Sequence, residues 1–488
     1  MNTYAAHLID VAHAAYRAGR HAEAEATLRL ALGQGTRDPW IVYFIGHLCY
    51  LQGRLEEARQ YLAHSLQLDP DNARAHNDLG ETLCGLGRQA EAVPHFERSI
   101  ALEPTLAHGY GNLAAALVAL NKPEAALQWA QKSLWHATDK TVAHCDLGSV
   151  LGRLGRQKEA LRQYELALAI KPDNAHAHYY ASLMRLSLGE LPAAWEMHEA
   201  RLLIPQGIGG RRQHPQRRWR GESDIAGRRI LLHAEQGLGD TIMFARYAAM
   251  VAELGATVYL EVQTGMRAAL HGLARVAAIY EFGEHLPEFD LHCPLMSLPW
   301  IFQTRLDTIP NTTPYLTPRP ERAAVWERRF GQWRNMRVGL AWSGRATHAS
   351  DLTRSVPLSL LTPLLTRGDI DVHVVQPEIR PDDRAVLNAL PNVADHSSQL
   401  TDFAETAALM TQMDLIVSVD TAAAHLAGAL GRPSWLLLAY SADWRWMRER
   451  GDTPWYPSTR LFRQTKRDDW QSVLDTLTRQ LDQWTQRQ

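Results

Sequence analysis

The stretch RRILLHAEQGLGDTIMFARYAAMVAELG, residues 228–255, contains the three parts of a strand–loop–helix unit. Its short opening apolar run predicts a buried parallel strand. The run from Thr241 predicts a helix that ends at Gly255. Gly237 and Gly239 lie between the two, where glycine permits a close approach to the backbone. We therefore expect an α/β lobe to begin here.

The same alternation continues on both sides of a proline-rich passage at 306–321. Strands are predicted at TVYLEV and FDLHC before it, and at RVGLAWSG, DVHVVQ, DLIVSVD and SWLLLAY after it. This pattern indicates two Rossmann-like lobes at 228–320 and 321–488, the second with a C-terminal helix. Two such lobes across a cleft resemble the GT-B fold, in which ligands bind beyond the carboxyl ends of the strands.

The first part of the chain is a repeat array with a period of 34 residues. Positions that keep this period are Gly19, Gly53, Gly87, Gly155 and Gly189, with Asn121 in the vacant slot, and Ala24, Ala58, Ala92, Ala126, Ala160 and Ala194. The pattern resembles the tetratricopeptide repeat, which implies six helix–turn–helix units over 1–203 and an α superhelix with a concave groove. A linker rich in glycine, proline and arginine is predicted at 204–227, with Trp219 as a packing anchor.

Asp78, Asn112 and Asp146 recur at one position of the first helices of the repeats. We call these three residues the ladder, and such a row of Asn and Asp side chains predicts hydrogen bonds to the backbone of a peptide in the groove. Solvated polar positions on an exposed face are the alternative.

The composition excludes several classes of function. A net charge of −2 gives no electrostatic case for nucleic acid binding, and no apolar run is long enough to span a membrane. The four cysteines are scattered singly, which argues against a zinc site or a disulfide framework and favours a cytoplasmic protein. No signal peptide is recognisable.

Asp240 closes the loop that contains Gly237 and Gly239. A dinucleotide-binding loop would have a third glycine where Ile242 stands, and an acid at a helix start would oppose a pyrophosphate, so an NAD enzyme is a distant alternative. Helix capping is one interpretation of Asp240. The stretch GLGDTIMFA also resembles the heptosyltransferase family, glycosyltransferase family nine. That resemblance implies that Asp240 is the general base and that Gly237 and Gly239 form the acceptor loop.

A second stretch, DLIVSVDTAAAHLAGALGRP at 414–433, resembles the D-T-G-x-x-H motif of the same family. The resemblance assigns Asp420, Thr421, Ala422 and His425 to donor binding, with Ala422 in place of the glycine. The start of the predicted helix near Thr421 suits a diphosphate. A buried histidine bonded to a local carbonyl is the alternative for His425. We expect Asp240 to face this helix start across a gap that holds the donor.

The loop after RVGLAWSG and the end of DVHVVQ complete the predicted donor site. Ser343 and Gly344 supply donors there, Arg354 offsets charge on the leaving diphosphate, and Gln376 contacts base or ribose. Because no DxD motif lies at a strand end, we expect no metal, and no cofactor besides the nucleotide sugar as substrate. The aromatic stretch at 441–464 favours a structural role, with Asp443 and Trp444 as outside candidates.

Repeats joined to a GT-B module resemble bacterial relatives of O-linked N-acetylglucosamine transferase and flagellin-modifying transferases. This resemblance implies an inverting, metal-independent glycosyltransferase whose repeats hold a polypeptide acceptor, flagellin-like proteins being one example. The alternatives are a glycan or lipopolysaccharide acceptor, with the repeats recruiting a partner enzyme, and a scaffold without catalysis. A homo-oligomer is left open.

Overall fold

The computed structural model describes residues 3–34, 38–204, 214–222, 224–330, 335–348, 350–390 and 392–486. Their contacts divide the chain into two compact units, Met1–Asn174 and Ala175–Gln488. The predicted boundary at 203 follows the end of the repeat pattern, whereas the division of contacts falls one repeat earlier. Across the described residues, no helix combines the length and the apolar character that crossing a membrane requires.

Five helical pairs make up the first unit. They are α1 (Thr3–Arg17) with α2 (His21–Gly33), α3 (Pro39–Leu51) with α4 (Leu55–Leu68), α5 (Ala73–Gly85) with α6 (Gln89–Leu102), α7 (Ala107–Ala119) with α8 (Pro123–His136), and α9 (Lys140–Arg153) with α10 (Gln157–Ile170). The predicted helix–turn–helix repeat is therefore confirmed.

The turn inside each pair needs a residue with positive φ. The residues that provide it are Gly19 (73°), Gly53 (75°), Gly87 (76°), Asn121 (58°) and Gly155 (73°). Asparagine tolerates this left-handed conformation better than most residues, which explains its place in the glycine slot. The periodic alanines are fully buried where the two helices of a pair meet. At Gly80 a Cβ would lie 2.7 Å from Cζ of Phe96, so the small residue on the first helix sets how closely the pair packs.

The second unit begins with a sixth helical pair, α11 (Ala175–Ser187) and α12 (Leu191–His198), and one further helical turn, Glu199–Leu203. Its first lobe follows. The lobe contains β1 (Arg217–Arg218), β2 (Arg229–His233), α13 (Leu238–Ala245), α14 (Tyr247–Glu253), β3 (Thr257–Val262), β4 (Val276–Glu281), β5 (Leu291–Pro294) and α15 (Leu298–Ile301).

The second lobe follows. It contains α16 (Pro320–Phe330), β6 (Met336–Ala341), α17 (Asp351–Arg354), α18 (Thr362–Leu365), β7 (Ile370–Val374), α19 (Pro381–Asn388), β8 (Val393–Asp395), α20 (Phe403–Met410), β9 (Leu415–Val419), α21 (Ala422–Ala429), β10 (Ser434–Leu438), β11 (Thr459–Arg463) and α22 (Trp470–Thr485). The two α/β lobes predicted from the sequence are thus present.

Both sheets are parallel and wound in the Rossmann manner. The first has the strand order β1-β5-β2-β3-β4, and the second has the order β11-β10-β9-β6-β7-β8. In the second sheet the chain runs outward from β6 through β7 to β8, and then returns to β9 on the other side. The strand order therefore reverses between β2 and β5 in the first lobe and between β6 and β9 in the second.

A single hydrophobic core runs through the sixth helical pair and both lobes. Trp195 of α12 lies at its centre, with its ring 5.5 Å from that of Trp444 and its indole N–H donating to the carbonyl of Thr304 at 3.1 Å. Arg246 at the end of α13 is buried and donates to the carbonyl of Trp455 at 2.8 Å. A separate core lies on the other face of the second sheet and includes α22.

Candidate active site

The two reversals of strand order mark where a ligand is expected in sheets of this kind. In the first lobe, the loop after β2 leads into α13, whose first turn carries Asp240. In the second lobe, the loop after β6 leads to Arg354, and the turn after β9 carries Asp420. Asp240, Arg354 and Asp420 therefore belong to segments that follow the strands at which the strand order of each sheet reverses.

Asp240 is the third residue of α13, and both of its carboxylate oxygens are engaged. The backbone N–H of Gly237, which precedes the helix, donates to Oδ2 of Asp240 at 2.8 Å. The other oxygen, Oδ1, forms an ion pair with Arg445 of the second lobe. The side chain keeps 17% of its surface exposed. Asp240 thus stabilises the start of its helix and still reaches solvent, so the capping interpretation and the general-base prediction involve the same side chain.

Arg445 joins the two lobes at this point. It is buried, its guanidinium lies 4.3 Å from the ring centroid of Trp444, and Nη1 donates to Oδ1 of Asp443 at 2.7 Å. The neighbouring carboxylates, Asp240 first, raise the pKa of Arg445 against the cost of its burial, so it is always charged. The role of Arg445 was not predicted from the sequence. The available signal was a lone arginine between two tryptophans, in a stretch assigned only a structural role.

The starts of α13 and α21 meet directly. A Cβ on Gly239 would stand 2.7 Å from Cδ2 of His425 and 3.6 Å from Cα of Ala422. The predicted facing of the two loops is therefore present, but at this point protein fills the space expected for a donor. Glycine at 239 is what allows the approach.

His425 is buried behind this contact. Its Nδ1 lies 2.9 Å from the hydroxyl of Tyr456, and its ring stacks on Trp446 at 5.1 Å. Burial and the charge of Arg445 lower its pKa well below the usual value, so the imidazole is neutral. The neighbour is a tyrosine hydroxyl, not the local carbonyl of the alternative interpretation. Its predicted contact with phosphate or sugar stays a prediction.

Asp420 and Thr421 precede α21, and Thr421 makes no side-chain hydrogen bond that caps this helix. The first N–H groups of α21 are therefore not capped by that hydroxyl, as an anion site requires. Burial, and then the charge of Asp443, raise the pKa of Asp420 to about 6. Arg354 donates from Nη1 to the carbonyl of Asp420 at 3.1 Å, which places a second guanidinium at this turn.

Gly344 accommodates Arg354, because a Cβ at 344 would overlap the guanidinium. The predicted contact of Gly344 with the donor stays a prediction. What the structure shows is that Gly344 leaves room for the side chain of Arg354. Gln376 bridges the ends of β6 and β7, since its Oε1 accepts from the N–H of Trp342 at 2.8 Å and its Nε2 donates to Oγ of Ser343 at 3.0 Å. The side chains of Ser343 and Gln376 are buried and form hydrogen bonds within the second lobe. Their part in donor binding also stays a prediction.

His348 and Asp443 are exposed and lie close enough to Asp240 for their charges to interact. Burial, and then the charge of Arg354, lower the pKa of His348, with Asp443 and Asp240 acting in the opposite direction.

The aromatic stretch at 441–464 has the structural role that the sequence favoured. Trp444, Trp446, Trp455 and Tyr456 are buried in the core shared by the two lobes. The C-terminal helix α22 packs on the second sheet. Trp219 of the predicted linker is also buried, as expected of an anchor, whereas 205–213 and 223 of that linker lie outside the described residues.

The sixth helical pair approaches the site through α11. Tyr179 is buried, and its pKa is raised by burial, with Arg445 and Asp443 among the charges that act on it. Behind this pair, Arg201 is fully buried and donates to both oxygens of Glu235, at 3.2 and 3.0 Å. Glu235 belongs to the loop that carries Asp240, so the last repeat is tied to the candidate base loop.

The ladder of the repeat array is tied to neighbouring repeats. Asp78 bonds Nδ1 of His47 at 2.8 Å, and Asn112 donates to Oδ1 of Asn77 at 3.0 Å. Burial raises the pKa of Asp146 to about 6. The alternative of purely solvated positions does not describe these contacts, and peptide binding by the ladder stays a prediction.

Among the described residues, one group of potential metal ligands comes together, formed by Glu25, Cys49 and Glu57 of the repeats. Both carboxylates form ion pairs with Arg29 and Arg54. Two cations already neutralise this group, so we interpret it as an ion-pair network.

Comparison with protein families agrees with this architecture. Models described as tetratricopeptide repeat match residues 40–104 and 145–197. A model described as glycosyltransferase family 9 (heptosyltransferase) matches residues 398–471. The chain carries tetratricopeptide repeats and a glycosyltransferase family 9 domain. The family 9 match includes Asp420, His425 and Arg445.

Among curated proteins, this chain is similar to Protein FlbA of Caulobacter vibrioides, with 26% identity over 329 residues. The match covers 62% of this chain and 54% of FlbA, so the chain spans about half the length of that relative.

Similar solved structures correspond to about a third of the chain. PilW, a type IV pilus biogenesis factor, is 19% identical with a TM-score of 0.38, over 40% of this chain and 91% of its own. MamA from Desulfovibrio magneticus RS-1 is 21% identical with a TM-score of 0.33, over 36% of this chain and 98% of its own.

Proposed function

We propose that this glycosyltransferase moves a sugar from a nucleotide-sugar donor to a hydroxyl group of a polypeptide, with inversion at the anomeric carbon and without a metal. The observation that carries the proposal is the position of Asp240. This solvent-accessible carboxylate of the first lobe pairs with the guanidinium of Arg445, and its neighbour Gly239 lies against the helix start of the second lobe.

Asp240 would act as the general base. As the acceptor oxygen forms its bond to the anomeric carbon, its proton passes to the carboxylate, and the bond to the donor diphosphate breaks with its electron pair leaving on the phosphate oxygen. The N–H of Gly237, which donates to Oδ2, holds the carboxylate in one orientation. Attack from the face opposite the leaving group produces inversion.

The second lobe would stabilise the leaving diphosphate. Arg354 lies at the start of α21, where backbone N–H groups and the helix dipole favour an anion. Fixed positive groups aimed at the developing charge can do what a divalent cation does in other transferases. The predicted donor contacts of Thr421 and His425 belong to this part of the proposal.

The polypeptide acceptor is supported by the repeats. Tetratricopeptide arrays are protein-binding elements, and the sixth helical pair packs within the same compact unit as Asp240. A flagellin-like protein is one such acceptor. A cytoplasmic location belongs to the same proposal, since all four cysteines are unpaired thiols, as expected in a reducing compartment.

A transfer assay with matched variants tests the catalytic role. Uridine, guanosine, cytidine and adenosine diphosphates are first screened for stabilisation of the full chain against heat, and the sugar donors of the active nucleotide are then assayed. Asp240→Asn should lower kcat by at least about 100-fold, because general-base catalysis contributes about that much. Asp307→Asn, at an exposed aspartate of the same lobe, is the control and should leave kcat unchanged. Equal activity of both variants would refute the assignment of Asp240.

A second candidate function is transfer to a glycan or lipid, which the heptosyltransferase description of the family 9 match favours. Removal of residues 1–174 separates the two. The shortened enzyme should lose transfer to protein and retain donor hydrolysis if the repeats hold a polypeptide. Full activity on a glycan acceptor after the removal would favour the second function.

A further inference from the structure

Arg445 is placed to serve two anions in turn. Its Nη2 pairs with Asp240, while Nη1 and the backbone N–H both donate to Oδ1 of Asp443, at 2.7 and 3.0 Å. The guanidinium is therefore anchored on one side by its own lobe. Only its outer edge reaches the other lobe, and that edge covers the carboxylate that must accept a proton in the proposed reaction.

The pairing has a cost for catalysis. A guanidinium in contact with a carboxylate stabilises the ionised form and makes it a poorer base. It also occupies the oxygen that an acceptor hydroxyl would approach, because the second oxygen of Asp240 already accepts from Gly237. As long as Arg445 stays in this position, Asp240 cannot serve as an efficient base.

Two unused N–H groups point to the second anion. Within the described part of the chain, the Nε atoms of Arg445 and Arg354 are buried and have no hydrogen-bond partner. Arg354 bonds the carbonyl of Asp420, and both guanidinium charges act on the carboxylate of Asp420, so both arginines are near the turn before α21. Buried donors without partners are costly, and a diphosphate at this turn would supply acceptors for them.

We propose that Arg445 is a diphosphate-binding residue held in reserve by Asp240, and that arrival of the donor draws it onto the phosphates and frees the carboxylate. This inference rests on the proposed function and adds an order to it. The donor binds first, and Asp240 becomes competent to activate an acceptor only when the leaving group is in place. Asp443 keeps the guanidinium anchored during the change.

The test is a double-mutant cycle in the full-length protein, with inorganic pyrophosphate as the probe and calorimetry at low salt as the measurement. Arg445→Gln should weaken pyrophosphate binding by at least about 10-fold, the value of a lost charge-assisted hydrogen bond. Asp240→Asn should tighten it by roughly 3- to 10-fold, because the competing carboxylate is removed. In the Arg445→Gln background, the gain from Asp240→Asn should fall below about 2-fold.

Arg448→Gln is the matched control, since Arg448 lies in the same segment, stacks on Tyr440 and donates to its carbonyl at 3.0 Å. It should leave the affinity for pyrophosphate unchanged. If Arg445→Gln fails to fold, Arg445→Lys replaces it and should still bind pyrophosphate, more weakly than the original protein does.

Three results would overturn the inference. They are absence of pyrophosphate binding by the original protein, no tightening in Asp240→Asn, and tightening that persists without Arg445, which would reflect only the general loss of a negative charge. Failure of the proposed function looks different, since no sugar would then be transferred even if the cycle behaved as expected. If the protein transfers sugar but its affinity for pyrophosphate is the same with and without Asp240→Asn, this inference is refuted and the proposed function is not.

Discussion

Gly239 and His425 bring the starts of α13 and α21 into contact, with a Cβ at 239 only 2.7 Å from the imidazole. His425 cannot retreat, because it is held between Trp446 and the hydroxyl of Tyr456. The starts of α13 and α21 are far apart in the sequence, and they can come into contact because residue 239 has no side chain.

Gly239→Ala should accordingly be poorly tolerated. The added methyl group forces His425 or α13 to shift, which costs about 1–3 kcal/mol in a packed interior, and displaces Asp240 with it. We expect a lower midpoint of chemical denaturation and loss of transfer. Gly237→Ala is the control, because a Cβ there meets only Oδ2 of Asp240 at 3.2 Å. Equal stability of the two variants would contradict the close approach.

The buried pair of Arg201 and Glu235 predicts a large effect on stability. Glu235→Ala would leave a fully buried guanidinium with only Glu199 to compensate it, and breaking such a pair costs about 3–5 kcal/mol. Glu222→Ala, which removes the carboxylate from an exposed pair, should cost less than about 1 kcal/mol. Denaturant unfolding followed by tryptophan fluorescence measures both. A small loss in Glu235→Ala would show that the pair does not stabilise the second unit.

The repeat array should become less stable as pH rises because of Asp146. Burial raises the pKa of this carboxyl from 3.8 to about 6, with the charge of His108 opposing the shift. The folded state thus favours the neutral acid. The contribution of the protonated carboxyl to the stability of the folded repeats is complete below pH 4. It is lost as pH rises through 6, because the buried carboxyl must then ionise in the folded state.

Asp146→Asn should therefore raise the stability of the repeats at pH 8 by on the order of 2 kcal/mol and change little at pH 4. Thermal unfolding at the two pH values is the measurement. Asp173→Asn, at an exposed position, should show no such difference. A stabilisation of equal size at both pH values would contradict the prediction, because it would not depend on ionisation of Asp146.

The division of the chain at residue 174 predicts which fragment folds. Residues 175–488 retain α11 and α12, whose Leu186, Leu191 and Trp195 belong to the core of the lobes. This fragment should unfold cooperatively. Residues 204–488 lack these side chains, and removal of Trp195 alone should cost about 3–5 kcal/mol. Equal cooperativity of the two fragments would show that the sixth pair is dispensable.

Local patterns made much of the fold predictable. The 34-residue period indicated every repeat turn, including the one at Asn121, because each turn requires the same backbone conformation. Long apolar runs indicated β2, β3, β9 and β10, because a strand buried on both faces leaves little choice of side chain. The edge strands β4 and β8 are half exposed, and β11 lies inside the aromatic stretch, so their patterns were too weak.

The site was predictable only in part. Asp240 and Asp420 stand at a helix start and a strand end, where position along the chain already indicates position in the fold, and Arg354 ends the short helix α17 that follows β6. Arg445 comes from a segment without such a landmark, and its role depends on a partner 205 residues away. The merging of the sixth repeat with the lobes was missed for the same reason, because its contacts are long-range.

The continuous core has a consequence for how substrates enter. Swinging the lobes apart about a hinge would expose Phe244, Trp455 and Tyr456, at about 1.5–3 kcal/mol for each large side chain. It would also break the hydrogen bond from Arg246 to the carbonyl of Trp455. We therefore expect the two lobes to stay closed throughout turnover, so that turnover depends on movements of individual side chains within the closed site.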